Sequence, residues 1–181
     1  MIRLKQLLRE LSDPEITRLL DKIKNKQFRL IGGGDNGRVY EIDGEDKVFK
    51  ITTERDEFEV AKVIIGRASE FTCFIPVYYV DDRKQMYIMA NAEQLPESDR
   101  SVIDQFMERY KQYAREQGGE VSIFDYLDDD GARNTDIKLV NFIRALQRDV
   151  DKTGIIEFDL DLDFGSDNMM IWNDKIVLVD W

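Results

Sequence analysis

Histidine is absent from this chain of 181 residues, and cysteine occurs once, at Cys73. Without histidine, catalysis by a Ser-His-Asp or Cys-His arrangement and metal binding through imidazole are excluded. A single cysteine excludes an internal disulfide and a cysteine-based zinc site. No apolar run approaches the roughly 20 residues that span a bilayer, and the charged N-terminus lacks a signal-peptide core. We therefore expect a cytoplasmic protein that does not enter a membrane.

Basic residues are outnumbered, because 26 Lys and Arg stand against 37 Asp and Glu, and the net charge is −11. Neutralising phosphates needs a basic surface, so we expect no direct nucleic-acid binding. An acidic surface is typical of a soluble protein, and it also suits a protein that mimics nucleic acid or binds a basic partner. The 43% hydrophobic content can build a core. The length suits one domain or two small lobes that share a cleft.

A glycine-rich turn, residues 32–37, follows the first strand pattern of the chain. Strands are predicted over 28–31, 38–42 and 47–51. Three glycines of the turn, Gly32, Gly34 and Gly37, allow the backbone to approach a ligand and direct N–H groups at it, although the same glycines suit a plain hairpin. Because a strand and not a helix follows the turn, Rossmann and Walker phosphate loops are disfavoured.

The middle of the chain predicts the rest of a sheet and two long helices. A helix that opens at Thr52 to Asp56 and ends at Gly66 precedes two further strands. The predicted strands cover 75–80 and 85–90, and the two long helices cover 98–117 and 136–154. Together with the first three strands, this pattern predicts a five-stranded antiparallel sheet with one inserted helix.

The last nineteen residues combine polar side chains with a hairpin pattern. Apolar runs over 169–172 and 176–179 are separated by a polar turn, which is typical of a β-hairpin. Such a hairpin returns Asp180 to the neighbourhood of Asn168, with Asp163 on the segment leading in. Two carboxylates and an amide are oxygen ligands of the kind that Mg²⁺ prefers. The pattern thus predicts a magnesium and phosphate site, with a solvated surface hairpin as the alternative.

Taken in order, these motifs resemble the protein-kinase superfamily, most closely the kinase-like phosphotransferases and the small kinase of T7-like phages. Residues 32–39 read Gly-x-Gly-x-x-Gly-x-Val, and Lys50 follows on the third strand. Asp163 and Asn168 match the Asp-x-x-x-x-Asn of a catalytic loop. The resemblance implies an α+β fold with three parts: a helical segment at 1–26, a kinase-like N-lobe at 27–92 and a reduced, mostly helical C-lobe at 93–181.

The resemblance also implies a role for each matched residue. Asp163 would orient the attacking hydroxyl, Lys50 would hold the ATP phosphates, and a helix glutamate would pair with Lys50. Glu59 is the first candidate for that glutamate and Glu57 the second. The remaining implied contacts are Gly32, Gly34, Gly37 and Val39 with the nucleotide, Ala90 and Ala92 with the adenine edge, and Asn168 and Asp180 with Mg²⁺.

The resemblance implies an ATP- and Mg²⁺-dependent phosphotransferase that acts on Ser or Thr of proteins, and on host proteins in the host cytoplasm if the chain is phage-encoded. Three positions depart from the family pattern: Asp161, Leu162 and Gly165. The match to the family pattern ends at Asp180, so we expect none of the later large-lobe helices that bind a peptide. These departures and the acidic charge leave a second hypothesis open, a pseudokinase or an acidic inhibitor that binds a basic or DNA-binding partner protein. The sequence does not predict an oligomeric state.

Overall fold

The computed structural model describes residues 14–119, 121–129, 131–153 and 164–179. Asp163, Asp180 and the first half of the predicted N-terminal helical segment lie outside these residues. The described residues form two compact units, which are treated separately below. Unit 1 comprises residues 14–68 and 76–91, and unit 2 comprises residues 69–75 and 92–179. The segment 69–75, which falls within the predicted N-lobe in sequence, is thus part of unit 2.

Unit 1 is built on five antiparallel strands in the order β1-β2-β3-β5-β4. Their bounds are β1 Phe28–Gly34, β2 Gly37–Ile42, β3 Lys47–Thr52, β4 Val77–Asp81 and β5 Met86–Ala90. Helix α1 (Pro14–Lys24) precedes the sheet, and α2 (Arg55–Ile64) lies between β3 and β4 in the chain. The prediction of an α+β chain with a five-stranded antiparallel sheet and one inserted helix is confirmed.

The two faces of this sheet have different neighbours. Side chains alternate along β3, so Phe49 and Lys50 point to opposite faces. Phe49 belongs to an apolar cluster with Ile16 and Leu19 of α1, and full burial of a side chain such as Leu19 contributes about 1.5–3 kcal/mol. Lys50 lies on the other face and is buried. The sheet therefore separates an apolar core under α1 from a face that carries a buried charge.

Unit 2 combines helices with a three-stranded sheet of order β6-β7-β8. Its helices are α3 Glu97–Glu116, α4 Ile123–Asp129 and α5 Ile137–Thr153, with 3₁₀ turns at Gly131–Asn134 and Ser166–Asn168. Its strands are β6 Glu93–Gln94, β7 Met169–Trp172 and β8 Lys175–Leu178. The predicted helices α3 and α5 and the predicted hairpin are confirmed, whereas the short helix α4 was not predicted.

Backbone hydrogen bonds explain why residues 69–75 belong to unit 2. The N–H of Leu178 donates to the carbonyl of Cys73 at 2.7 Å, and the N–H of Ile75 donates to the carbonyl of Leu178 at 2.9 Å. Asp149 of α5 is buried and accepts the N–H groups of Thr72 and Cys73 at 2.6 and 3.0 Å. These contacts attach the segment to β8 and α5. Among the described residues, no helix is long and apolar enough to cross a bilayer.

Candidate functional site

The glycine-rich turn of unit 1 joins β1 to β2 through Asp35 and Asn36. Gly34 pairs with Gly37, and Gly32 pairs with Val39, so the predicted strand-turn-strand arrangement is confirmed. A Cβ added at Gly34 would meet no described atom within 4 Å. The backbone at Gly34 is therefore accessible in unit 1, as a phosphate-binding turn requires.

Gly37 is required by the protein itself. A Cβ at this position would lie 2.7 Å from the carbonyl oxygen of Ile51 and 3.2 Å from Cε of Lys50. A contact of 2.7 Å with backbone cannot be relieved without moving β3 away from β2. The missing side chain therefore allows the two strands to pair and leaves room for the stem of Lys50. The sequence pattern alone left two roles open for this glycine, the approach of a ligand and a plain hairpin.

Lys50 forms a buried ion pair with Glu57. Its Nζ lies 2.9 Å from Oε1 of Glu57, and the two residues are 4% and 2% exposed. In the sheet, Lys50 is paired with Val39 of β2 on one side and with Tyr87 of β5 on the other. The described structure therefore places a fixed ammonium group beside Val39 and Gly37.

Glu59, the first candidate for the partner of Lys50, was the wrong choice. Its carboxylate pairs with Lys62 at 2.9 Å and is partly exposed. The reason is helical phase, because α2 buries Glu57, Val60, Ala61 and Ile64, which recur at three- and four-residue spacing. A residue two positions after Glu57 is turned by roughly 200° from that face.

Two further side chains, which the sequence analysis missed, contact Glu57. The hydroxyl of Thr52 lies 2.8 Å from Oε2 of Glu57, and the hydroxyl of Tyr87 donates to Oε1. Both residues are almost fully buried. Thr52 lies two residues after Lys50 on β3, and Tyr87 of β5 is the cross-strand partner of Lys50. Because side chains alternate with a period of two along a strand, all three residues are predicted to share one face of the sheet. A buried carboxylate needs such donors because an unpaired charge is strongly disfavoured.

The predicted hinge begins at the end of β5. Ala90 is buried, and its N–H donates to the carbonyl of Pro76 at 3.0 Å. The N–H of Asn91 donates to the carbonyl of Asp46, also at 3.0 Å. The N–H of Ala90 is therefore already used within unit 1, and the adenine contact predicted for Ala90 stays a prediction. The contact predicted for Ala92, which lies in unit 2, stays a prediction.

The hairpin of unit 2 carries Asn168 at its open end. Its two-residue turn, Asn173 and Asp174, has φ of 49° and 61°, which short polar residues tolerate better than others. The N–H of Val179 donates to the carbonyl of Asn168 at 3.0 Å, so β8 returns the chain to that residue. Asp180 follows Val179 in sequence but lies outside the described residues, as Asp163 does. The magnesium pair Asn168 and Asp180 therefore stays a prediction.

Unit 2 also contains an open pocket of about 530 Å³. Phe142, Ala145, Ile171 and Ile176 form much of its apolar lining, and Asp174 lies at its edge, so it adjoins the turn of the hairpin and not the end at Asn168. Of the polar lining residues that the structure describes, only Cys73 is buried. Burial and, second to it, the charge of the neighbouring Asp149 raise the pKa of the Cys73 thiol to about 12, so this thiol stays protonated at neutral pH.

No protein-family model matches the chain, and no curated protein matches it in sequence. Solved structures similar to the chain include a choline/ethanolamine kinase family protein from Mesorhizobium loti, at 14% identity and a TM-score of 0.42, with 100% of this chain and 65% of that chain covered. They also include the streptomycin–ATP–APH(2″)-IIa ternary complex, at 14% identity and a TM-score of 0.35, with 91% and 68% covered. The chain thus spans 65% of the length of the first protein. At these scores the likeness carries no argument about activity, substrate or cofactor.

Proposed function

We propose that the chain is an ATP- and Mg²⁺-dependent kinase-like phosphotransferase. The observation that carries the proposal is the buried Lys50–Glu57 ion pair next to the glycine-rich turn. Removing both charges from water costs on the order of several kcal/mol per ion, and apolar side chains would fill the same volume without that cost. Stability alone therefore does not account for the pair. A fixed ammonium beside a glycine-rich turn is suited to neutralising the phosphates of a nucleotide.

Each remaining role follows from the chemistry of the side chain. A carboxylate such as Asp163 can accept a hydrogen bond from the acceptor hydroxyl and orient it towards the phosphate. Amide and carboxylate oxygens are suitable Mg²⁺ ligands, and Mg²⁺ supplies further neutralisation of the phosphates when bound. The proposed contacts are Lys50, Gly32, Gly34, Gly37 and Val39 with the nucleotide, Ala90 and Ala92 with adenine, and Asn168 and Asp180 with Mg²⁺.

The proposed acceptor is a Ser or Thr hydroxyl of a protein in the cytoplasm. The resemblance of the motifs to the small kinase of T7-like phages supports this choice over a small-molecule alcohol. If the chain is phage-encoded, the acceptors are host proteins. Labelled ATP added to a cytoplasmic extract separates the two classes, because transfer to protein gives a label that is stable to dialysis, and transfer to a small molecule gives one that dialyses away.

The decisive comparison uses two lysines of β3. Lys47 and Lys50 are both buried, but they lie on opposite faces of the sheet, and Lys47 pairs with Glu15 and Asp46 instead of Glu57. We expect Lys50→Met to lower the rate of label transfer from ATP on the order of 100-fold, the usual effect of losing one preorganised charge partner. Lys47→Met should change it less than about twofold, because its partners lie on the other face.

Two outcomes would contradict the enzyme proposal. One is an equal loss in both lysine variants, which would indicate that the loss follows from a disturbed sheet. The other is no ATP binding and no label transfer by the wild-type chain. The net charge of −11 favours one alternative in that case, an acidic module that binds a basic or DNA-binding protein. A complex with such a partner whose affinity falls steeply with salt would support the alternative.

A further inference from the structure

The side-chain hydroxyl of Thr52 lies between the glycine-rich turn and the buried ion pair. It is 3.0 Å from the carbonyl oxygen of Asn36 and 2.8 Å from Oε2 of Glu57, and it accepts the N–H of Glu54 at 3.0 Å. Thr52 is 1% exposed, so water does not substitute for these contacts. A hydroxyl has one proton, and two acceptors therefore compete for it.

The carbonyl of Asn36 marks the tip of the turn. Besides Thr52, it receives the N–H of Thr53 at 2.9 Å and the hydroxyl of Thr53 at 3.3 Å. Three donors from two adjacent residues thus attach the tip to the junction between β3 and α2. The turn is held in place by side chains, in addition to the strand pairing of Gly34 with Gly37.

We propose that Thr52 is a positioning residue that couples the glycine-rich turn to the Lys50–Glu57 pair. When its proton goes to Asn36, the tip of the turn has all three donors. When the proton goes to Glu57, the carboxylate gains a donor and the turn loses one. A phosphate that attracts the ammonium of Lys50 weakens the ion pair of Lys50 with Glu57. The hydroxyl of Thr52 then donates to Glu57 in place of Asn36, and the turn loses that hydrogen bond. Binding at the turn and the state of the ion pair are thereby linked, and the link acts equally in both directions.

This inference rests on the proposed function, since it concerns the same nucleotide. The test uses the full chain with the variants Thr52→Val and Thr52→Ser. Valine keeps the shape and removes the hydroxyl, whereas serine keeps the hydroxyl and removes the methyl group. A role of the hydroxyl predicts that valine is impaired and serine is not, and a packing role of the methyl group predicts the reverse. Thr53→Val is the matched control, because it removes a hydroxyl that contacts Asn36 and not Glu57.

Two quantities should be measured for each variant: the affinity for ATP with Mg²⁺ by calorimetric titration, and the hydrogen exchange of the backbone amide at position 53 without nucleotide. For Thr52→Val we expect affinity to weaken about tenfold, the usual effect of removing one hydrogen bond to a charged group, and amide exchange to accelerate by a similar factor. Thr52→Ser and Thr53→Val should stay within about twofold of the wild type in affinity.

The outcomes separate the inference from the function on which it rests. No ATP binding by the wild type contradicts the proposed function. ATP binding that is equal in the wild type and Thr52→Val overturns the role of Thr52 alone, as does an equal loss in the serine variant. Amide exchange reports the attachment of the turn whether or not nucleotide binds. If Thr52→Val does not fold, Thr52→Ala is compared with Thr52→Ser, and an equal affinity in those two overturns the inference.

Discussion

Two carboxylates of this chain are buried to the same extent, Glu57 in unit 1 and Asp149 in unit 2, each 2% exposed. Asp149 accepts two main-chain N–H groups and, at 3.3 Å, the hydroxyl of Thr72, and it pairs with the exposed Lys152 at 3.4 Å. Glu57 accepts hydrogen bonds from side chains and pairs with an ammonium that is itself buried.

The donors distinguish the two acids more clearly than burial does. The main-chain donors to Asp149 would lose their partner without it, so the fold explains that residue. The charges of Lys50 and Glu57, in contrast, could be replaced by apolar groups of similar volume, so the fold alone does not require the ion pair. Four experiments test this contrast, beginning with the largest expected effect.

Glu57→Gln should lower the free energy of unfolding by about 3–5 kcal/mol, because it leaves a buried ammonium without a countercharge. Urea unfolding of the full chain measures this. The double variant Glu57→Gln with Lys50→Met should recover most of the stability, since neither charge then remains, yet it should not bind ATP. Recovery of both properties together would show that the pair is not needed for the nucleotide.

Asp149→Ala should lower the free energy of unfolding by about 3 kcal/mol, because the N–H groups of Thr72 and Cys73 each lose an acceptor. Asp149→Asn retains one carbonyl oxygen and should recover part of that loss. In contrast to Glu57→Gln, ATP affinity measured on folded protein should change less than about twofold. If an Asp149 variant bound ATP more weakly while its free energy of unfolding was unchanged, the proposed difference between Asp149 and Glu57 would be wrong.

The thiol of Cys73, next to Asp149, gives a pH-dependent test of unit 2. In the unfolded chain a thiol has a pKa of about 8.5. In the folded protein, burial and Asp149 raise the pKa of Cys73 to about 12. The folded state therefore keeps a proton that the unfolded state loses. This contribution to stability is complete below about pH 8.5 and is lost as the pH rises towards 12, by up to about 1.4 kcal/mol per pH unit.

The comparison of wild type with Cys73→Ala isolates this slope, because both proteins share the other groups that titrate in the same range. Native protein should also resist alkylation at pH 8 until it unfolds. Rapid alkylation of the folded chain at pH 8, or identical slopes in the two proteins, would contradict the assignment of a protonated, buried thiol.

Glu59→Gln should have the smallest effect, below about 0.5 kcal/mol, because the pair of Glu59 with Lys62 is partly exposed. Its thermal unfolding curve and its ATP affinity should both match the wild type. If Glu59→Gln impaired ATP binding as much as Glu57→Gln, the pairing of Lys50 with Glu57 would not describe the functional state.

The features predicted well from the sequence depend on local pattern. The hairpin at residues 169–178 and the five strands of unit 1 follow from alternation and turn chemistry over a few residues. Helix α4 was missed because seven residues are too few to show a helical period. The choice of Glu59 over Glu57 failed because the order of the motifs does not distinguish the two acids, whereas the three- and four-residue spacing of Glu57 to Val60, Ala61 and Ile64 would have indicated Glu57.

Other features depend on contacts that are distant in sequence. Cys73 binds the backbone of Leu178, and Asp149 reaches back to Thr72, which no local pattern indicates. The hydroxyl of Tyr87 and that of Thr52 meet Glu57 only because β3, β5 and α2 are packed together. The register of β3 against β5 would have been enough to find Tyr87, but register is a product of the whole sheet.

The spacing of glycines in such a turn is commonly taken as a sign of descent from a nucleotide-binding ancestor. In this chain the neighbouring strand requires glycine at position 37, because any larger residue would collide with the backbone of Ile51. Unrelated proteins with a tight strand pair and a lysine stem beneath it would arrive at the same glycine independently. Part of the motif can therefore arise by convergence, and ancestry is better judged from Gly34, where the sheet imposes no such demand.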